Sequence, residues 1–305
     1  MATASGTLER PGGTGDPGVG GRTPETAGSA PSRKGAFGIL AVPVVLLVLL
    51  FLAPMLLMVK VSFESAPPLD TSFSLSNYPA VVTNSLNLEI AARTLFIGTT
   101  AMAVMLIVGI PLAYYMVFKA GKLELFILLG LVLADELAPI VKVYAWQVIL
   151  GREGIVNWLI PGPPVEWLIF SKFAVITTLA ATYITYTTIP IYAAMKAIDP
   201  TVFESATDLG AGWWVQTRRI LLPLAAPGIF IAMILVYIPM LTDFVTSDIV
   251  GGTGSYMMGQ RVRDLILQDV NWGAGSALNF IMLGLTIVFS LVAYRLAKLN
   301  QIETS

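Results

Sequence analysis

Between Gly35 and Leu296 the chain carries six predominantly apolar runs, each about 22 to 30 residues long. A helix needs roughly 20 apolar residues to cross a hydrocarbon core of about 30 Å. No soluble fold of 305 residues has use for so many runs of this length, so the expected fold class is an all-α membrane protein with six transmembrane helices. The runs are 35–59, 89–118, 123–150, 172–194, 224–245 and 275–296. Composition agrees: 56% of the residues are hydrophobic, 12% are charged, and the mean hydropathy is +0.78.

The basic residues orient the bundle. With six spans both ends lie on one side. Arg10, Arg22, Arg33, Lys34, Lys119, Lys122, Lys196, Arg218, Arg219, Arg295 and Lys298 fall on that side, against Arg152, Lys172, Arg261 and Arg263 on the other, with Lys60 and Arg93 at its edge. The positive-inside rule therefore places the N and C termini in the cytosol. Residues 1–34, rich in Gly, Pro, Ser and Thr, lack the large side chains that would repay the entropy of ordering, and read as a disordered cytosolic tail. Residues 35–61 form the first transmembrane helix. A basic flank before an apolar run also fits a signal peptide, but the run is too long for one and no small-x-small site follows it, so a retained anchor is expected. Residues 62–88, with Pro67, Pro68, Asn77 and Pro79, read as an exterior loop, and 89–297 as a core of five further spans.

Composition also removes chemistry. The chain has no Cys and no His, which excludes disulfides, thiol nucleophiles, Cys/His zinc sites and imidazole catalysis. No catalytic residue and no metal site is expected, and no phosphate-binding Gly-x-x-x-x-Gly-Lys-Ser/Thr loop occurs. A net charge of −1 gives no sign of a nucleic-acid partner.

The most polar break between spans is 199–223. Asp199-Pro200 is a helix start: an Asp side chain accepts from free first-turn N–H groups, and Pro at the first turn wastes no donor. Val202, Phe203, Ala206 and Leu209 share one stripe, with Glu204 and Asp208 on the wet side. Gly210 stands where a left-handed residue ends a helix cheaply. Trp213, Trp214, Ile220 and Leu221 suggest a second short helix ended by Pro223, giving a helix–turn–helix outside the bilayer.

The pattern Glu204-x-Ala206-x-x-x-Gly210, then Ile220-x-Leu222-Pro223 after nine residues, resembles the EAA cytoplasmic loop of permease subunits in binding-protein-dependent ABC importers. Ser205 replaces that family's usual second Ala, and Thr217 a common aromatic. The resemblance implies an ABC importer type I permease fold in the bacterial inner membrane, in which Glu204, Ser205, Ala206, Asp208, Gly210, Ile220, Leu222 and Pro223 couple to a separate ATPase. The implied partners are an ABC ATPase dimer, a second permease subunit, an exterior solute-binding protein and the lipid bilayer. The implied cofactors, ATP and Mg, sit on the ATPase, so none is bound by this chain. Lys142-Val143-Tyr144-Ala145-Trp146 with Gly154 and Asn157 resembles the third-span exit of the spermidine/putrescine subfamily, with Lys142 in place of Arg. Asp248-Ile249-Val250-Gly251-Gly252 and Asn271-Trp272 resemble two further segments of it.

The solute is read from charge. At about 1.5 Å per residue Asp135 lies about 17 Å into the third span, near mid-membrane. An ionised group there costs about 2.5–3.5 kcal/mol, so it faces a water-lined path or a partner. Pro139 cannot donate to the Asp135 carbonyl, which frees that oxygen. Asp135 and Glu136, with Lys142, Tyr144 and Trp146, are candidates for a pathway that takes a cationic, polyamine-like solute; the alternative is that Lys142 only neutralises Asp135. Asp243 is a candidate of the same kind, or an acid of the exterior rim. Opines, thiamine and iron remain alternative cargoes, and an ion-gradient-driven secondary transporter an alternative mechanism.

Overall fold

The computed structural model describes residues 43–66 and 70–302; the expected tail, residues 1–34, and the start of the first span, 35–42, lie outside the described residues. The chain divides into two units at Pro54. Residues 43–54 of the first are helical, with Leu47, Leu50 and Phe51 exposed as on a helix that meets lipid.

Among the described residues, five helices are long and apolar enough to cross a membrane: α1 (Pro43–Ser62), α3 (Ser85–Phe118), α7 (Lys172–Lys196), α9 (Trp213–Thr242) and α12 (Trp272–Ile302), the last counted over Trp272–Val292. Counted in the sequence as one third span, interrupted near its far end by Asp135, Glu136, Pro139 and Lys142, residues 123–150 form two shorter helices, α4 (Leu123–Asp135) and α5 (Pro139–Leu150). The cause is local. Pro139 opens α5, and proline forces the residue before it out of the helical region; Ala138 sits at φ −52°, ψ 135°.

The segment after α1, expected as an exterior loop, holds an antiparallel pair, β1 (Glu64–Ala66) and β2 (Asp70–Phe73), and a short helix α2 (Asn77–Thr83). Asn77 Nδ2 ties them together by donating to the carbonyls of Ser62 (3.1 Å) and Glu64 (2.8 Å). Between α5 and α7 lies one more short helix, α6 (Ile155–Leu159).

Helix α7 is the centre of the second unit, flanked by α3 and α9. Its buried face is built from small and β-branched residues, Ala174, Val175, Thr178, Thr185, Thr187 and Thr188, which let backbones approach closely. The α7–α9 crossing is tightest at Gly228, where a Cβ would stand 2.3 Å from the Ala194 Cβ and 2.7 Å from the Pro190 carbonyl oxygen. Ile97, Met105, Leu179, Val236 and Met240 fill one core, and Ala113, Ile191, Met195, Leu221 and Ala232 another nearer the elbow. Helix α4 by contrast buries none of its residues.

The stretch read as polar between the fifth and sixth spans is mostly helical, as α10 (Phe244–Val250) and α11 (Met258–Leu267). Helix α11 is amphipathic, with Met258, Gln260 and Leu265 buried. Arg263 holds α11 to α10 and itself, with Nη1 2.7 Å from Asp248 Oδ2 and Nη2 2.8 Å from Asp264 Oδ1.

Candidate functional site

Two interruptions of the apolar helices carry the candidate residues. The first is the elbow between α7 and α9. Asp199 Oδ1 accepts from the Thr201 N–H (2.9 Å) and starts α8 (Thr201–Asp208), as the sequence suggests. That bond and a second from the Thr201 hydroxyl (2.8 Å) hold the Asp199 carboxyl below its usual range. Gly210 lies at φ +81° and ends the helix in a Schellman turn: its N–H donates to Thr207 O (2.8 Å) and the Ala211 N–H to Ala206 O (2.9 Å). Gln216 Nε2 clamps the turn by donating to Thr207 Oγ1 (2.9 Å) and Ala211 O (2.8 Å).

Beyond the turn the structure corrects the sequence reading. No second short helix ends at Pro223. The chain is helical from Trp213 into the fifth span, through a π turn at Thr217–Leu221. Widening the turn, so that the Leu222 N–H reaches Thr217 O, lets the helix carry Pro223 without a break. Ile220, Leu222 and Pro223 are half-buried on this continuous helix.

Leu209 also departs from expectation. Placed with Val202, Phe203 and Ala206 in one stripe, it is 89% exposed, because the Schellman turn swings it off the packed face. Ala206 is buried, and Phe203 packs edge-on against Phe118 at the end of α3. Glu204, Ser205 and Asp208 are exposed, and so are Trp213 and Trp214. Trp213 Nε1 donates to the Tyr114 hydroxyl (3.1 Å), a bond to the second span that no sequence signal had marked.

The second interruption is the break between α4 and α5. Lys142 Nζ lies 2.8 Å from Asp135 Oδ1, with both side chains mostly buried, at 13% and 19% exposure. Pro139, four residues on, leaves the Asp135 carbonyl without its helical donor. These residues border a cavity of about 470 Å³, closed on the other side by Thr182, Tyr183 and Tyr186 of α7 and by Leu235 and Pro239 of α9. Glu136 also lines it and makes no ion pair among the described residues. Asp135 faces Tyr186, about halfway along α7.

The other candidates stand apart. Trp146 is half-buried and lines, with Lys142 and Thr185, a neighbouring cavity of about 260 Å³; Tyr144 is exposed on α5. Asp243 is not in the cavity wall. It caps α10, accepting from the Thr246 N–H (2.9 Å) and hydroxyl (2.8 Å), and the Tyr183 hydroxyl reaches its other face at 3.4 Å. Thr182, Tyr183 and Tyr186 were not among the residues singled out from the sequence. Their signal was periodic: Thr178, Thr182 and Thr185 repeat at helical spacing inside an apolar run.

With both sites described, the similarity to known proteins becomes informative. Residues 125–301 match the family described as the binding-protein-dependent transport system inner membrane component. The chain belongs to that family. It is therefore a transport subunit rather than an enzyme, a multi-pass permease of the inner membrane that works with a solute-binding protein. It is similar to the spermidine/putrescine transport system permease protein PotB of Haemophilus influenzae, 27% identical over 84% of this chain and 91% of that one. To PotB of Escherichia coli strain K12 it is 26% identical, over 83% and 94%. The fold is that of the permeases in the crystal structure of a bacterial alginate ABC transporter bound to its alginate-pentasaccharide-loaded periplasmic protein. The TM-score is 0.71 at 18% identity, covering 87% of this chain and 96% of that one.

Proposed function

We propose that this permease is one of two membrane subunits of an ATP-driven importer for a small polycation of the polyamine type. The similarity to PotB along most of both chains supports the solute class, and a shorter similarity to the permease PotC, 29% identical over 38% of this chain, supports a paired second permease. The observation that carries the reading is the cavity at the break. Two carboxylates border it at mid-span, a place where ionised side chains are costly unless they serve a path or a partner.

The elbow is the part that meets the ATPase. It presents exposed Val202, Leu209, Trp213 and Trp214 beside the acids Glu204 and Asp208, an apolar and acidic surface at one end of the bundle. ATP and Mg belong to that partner. Nucleotide-driven closure of the ATPase pair moves the elbow, and the spans rearrange around the cavity.

The test is uptake of labelled putrescine by the full complex in vesicles. With Asp135→Asn and Glu136→Gln combined, uptake is expected to vanish while the complex still assembles. Unchanged uptake would reject the pathway at the break, and absence of an ATPase from the purified complex would reject the importer.

A further inference from the structure

Lys142 is a cation placed inside a cavity proposed to take cations, and this needs a physical reason. Its ammonium is 2.8 Å from Asp135 Oδ1, and no other Lys or Arg lines the cavity. The three charged groups of the wall, Asp135, Glu136 and Lys142, sum to one net negative charge. Thr182 adds a second, uncharged feature. It lines the same cavity, is 4% exposed, and its hydroxyl has no hydrogen-bond partner. A buried hydroxyl left unpaired is costly.

From this arrangement we infer that Lys142 is a counter-charge that sets solute release: it cancels Asp135 so that the cavity holds one ammonium group of the solute at a time. Glu136 supplies the charge. The inference rests on the polycation reading given above. A transport site must bind well enough to fill and weakly enough to empty. Two uncancelled carboxylates would hold a diamine too tightly, because a unit charge a few ångströms away in a partly dry site changes affinity by more than tenfold. Cancelling all the charge would leave nothing to attract it.

The claim concerns charge count, so charge count is what the test varies. The complex carrying each variant is measured in two ways, by putrescine uptake in vesicles and by putrescine retained on the detergent-purified complex without binding protein. Lys142→Met takes the cavity to two net negative charges. Retention should rise about tenfold and uptake should fall about tenfold. Lys142→Arg should match the parent in both. Lys142→Met combined with Glu136→Gln returns the count to one negative charge while leaving Asp135 without its partner, and both readings should come back to within about twofold of the parent. If the Asp135–Lys142 pair were only a structural clasp, this double variant would stay as impaired as Lys142→Met, and the inference would fall. Parent-like uptake by Lys142→Met would overturn it as well.

Should Lys142→Met fail to assemble, Asp135→Asn and Asp135→Asn/Lys142→Met decide the matter. The single variant has no net charge and should lose about tenfold in uptake; the double keeps Glu136 alone and should recover. A double no better than the single would sink the counter-charge role. If the unsubstituted complex neither binds nor imports putrescine, the polycation reading fails first, and that outcome is separate from every one above.

Discussion

At the elbow, side chains turn away from the helices that carry them; at the break, they turn towards one another. Leu209 and the two tryptophans, Trp213 and Trp214, stand exposed beyond a Schellman turn, whereas Lys142 and Asp135 close on each other across three non-helical residues. Each interruption is made by a residue with restricted or unusual backbone freedom, Gly210 in one and Pro139 in the other. The difference fits the roles proposed for them: an elbow that keeps its apolar groups exposed suits a partner in another chain, and a break that pairs its charges internally suits a site within the bundle.

That contrast can be broken by experiment, and the largest effect should come at the break. Pro139→Ala restores the donor that the Asp135 carbonyl lacks and allows α4 and α5 to join. Uptake should fall at least about tenfold with little change in melting temperature, since alanine at the first turn of α5 gives up no hydrogen bond. Normal uptake in this variant would mean that the break is incidental.

At the elbow, Gly210→Val meets no steric neighbour, because no atom lies within 4 Å of the added Cβ; its cost is backbone strain alone. For an L-residue held left-handed that cost is about 1–2 kcal/mol, enough to distort the turn. ATP hydrolysis by the complex should then lose its stimulation by loaded binding protein, while Gly210→Asn, which tolerates that conformation, should keep most of it. A coupled Val variant would argue that the turn does not transmit movement.

A smaller change tests whether the elbow leans on the second span. Trp213→Phe removes the hydrogen bond to Tyr114 and keeps the ring, at a cost of about 0.5–1.5 kcal/mol. The melting temperature of the complex should fall slightly. A shift equal to that of Tyr114→Phe, with no further loss in the double variant, would assign the effect to that one bond.

The smallest effect lies at the opposite end, in α10 and α11. The Arg263 guanidinium hydrogen-bonds Asp248 and holds its carboxyl below the ordinary 3.8, against a desolvation that raises it. A folded pKa below the unfolded one means that the unfolded chain binds more protons there. The stabilisation is present above about pH 4 and is lost as pH falls through the folded value. Melting curves should show an acid-dependent loss below about pH 4 that shrinks in Arg263→Met. Tyr256, pushed up to about 12 by burial and by the carboxylate of Asp264, stays protonated throughout that range and adds nothing to the slope.

Much of this was legible in the chain itself, though unevenly. Apolar run length located the long helices, and Asp199, Gly210 and the acids of α8 were readable because capping and left-handed turns depend on residues a few positions apart. The break was visible only as a cluster of odd residues inside a run still counted as one span, since hydropathy summed over 123–150 outweighs three residues near Asp135. Continuity through Pro223 was not legible at all. It depends on a π turn whose residues, Thr217 to Leu221, carry no pattern of their own. Likewise the Asp135–Lys142 bond and the unpaired hydroxyl of Thr182 are tertiary facts, which arise only when α7 is laid beside the break.

The π turn has a mechanical corollary. Because it lets the helix pass Pro223 intact, the Trp213 end and the Thr242 end belong to one rod about 45 Å long at 1.5 Å per residue. A push delivered at the tryptophans needs no slack segment to cross before it reaches Leu235 and Pro239 in the cavity wall. On the docking proposed for the elbow, the fifth span is a crankshaft whose stroke at the solute is set by how far the neighbouring motor turns it.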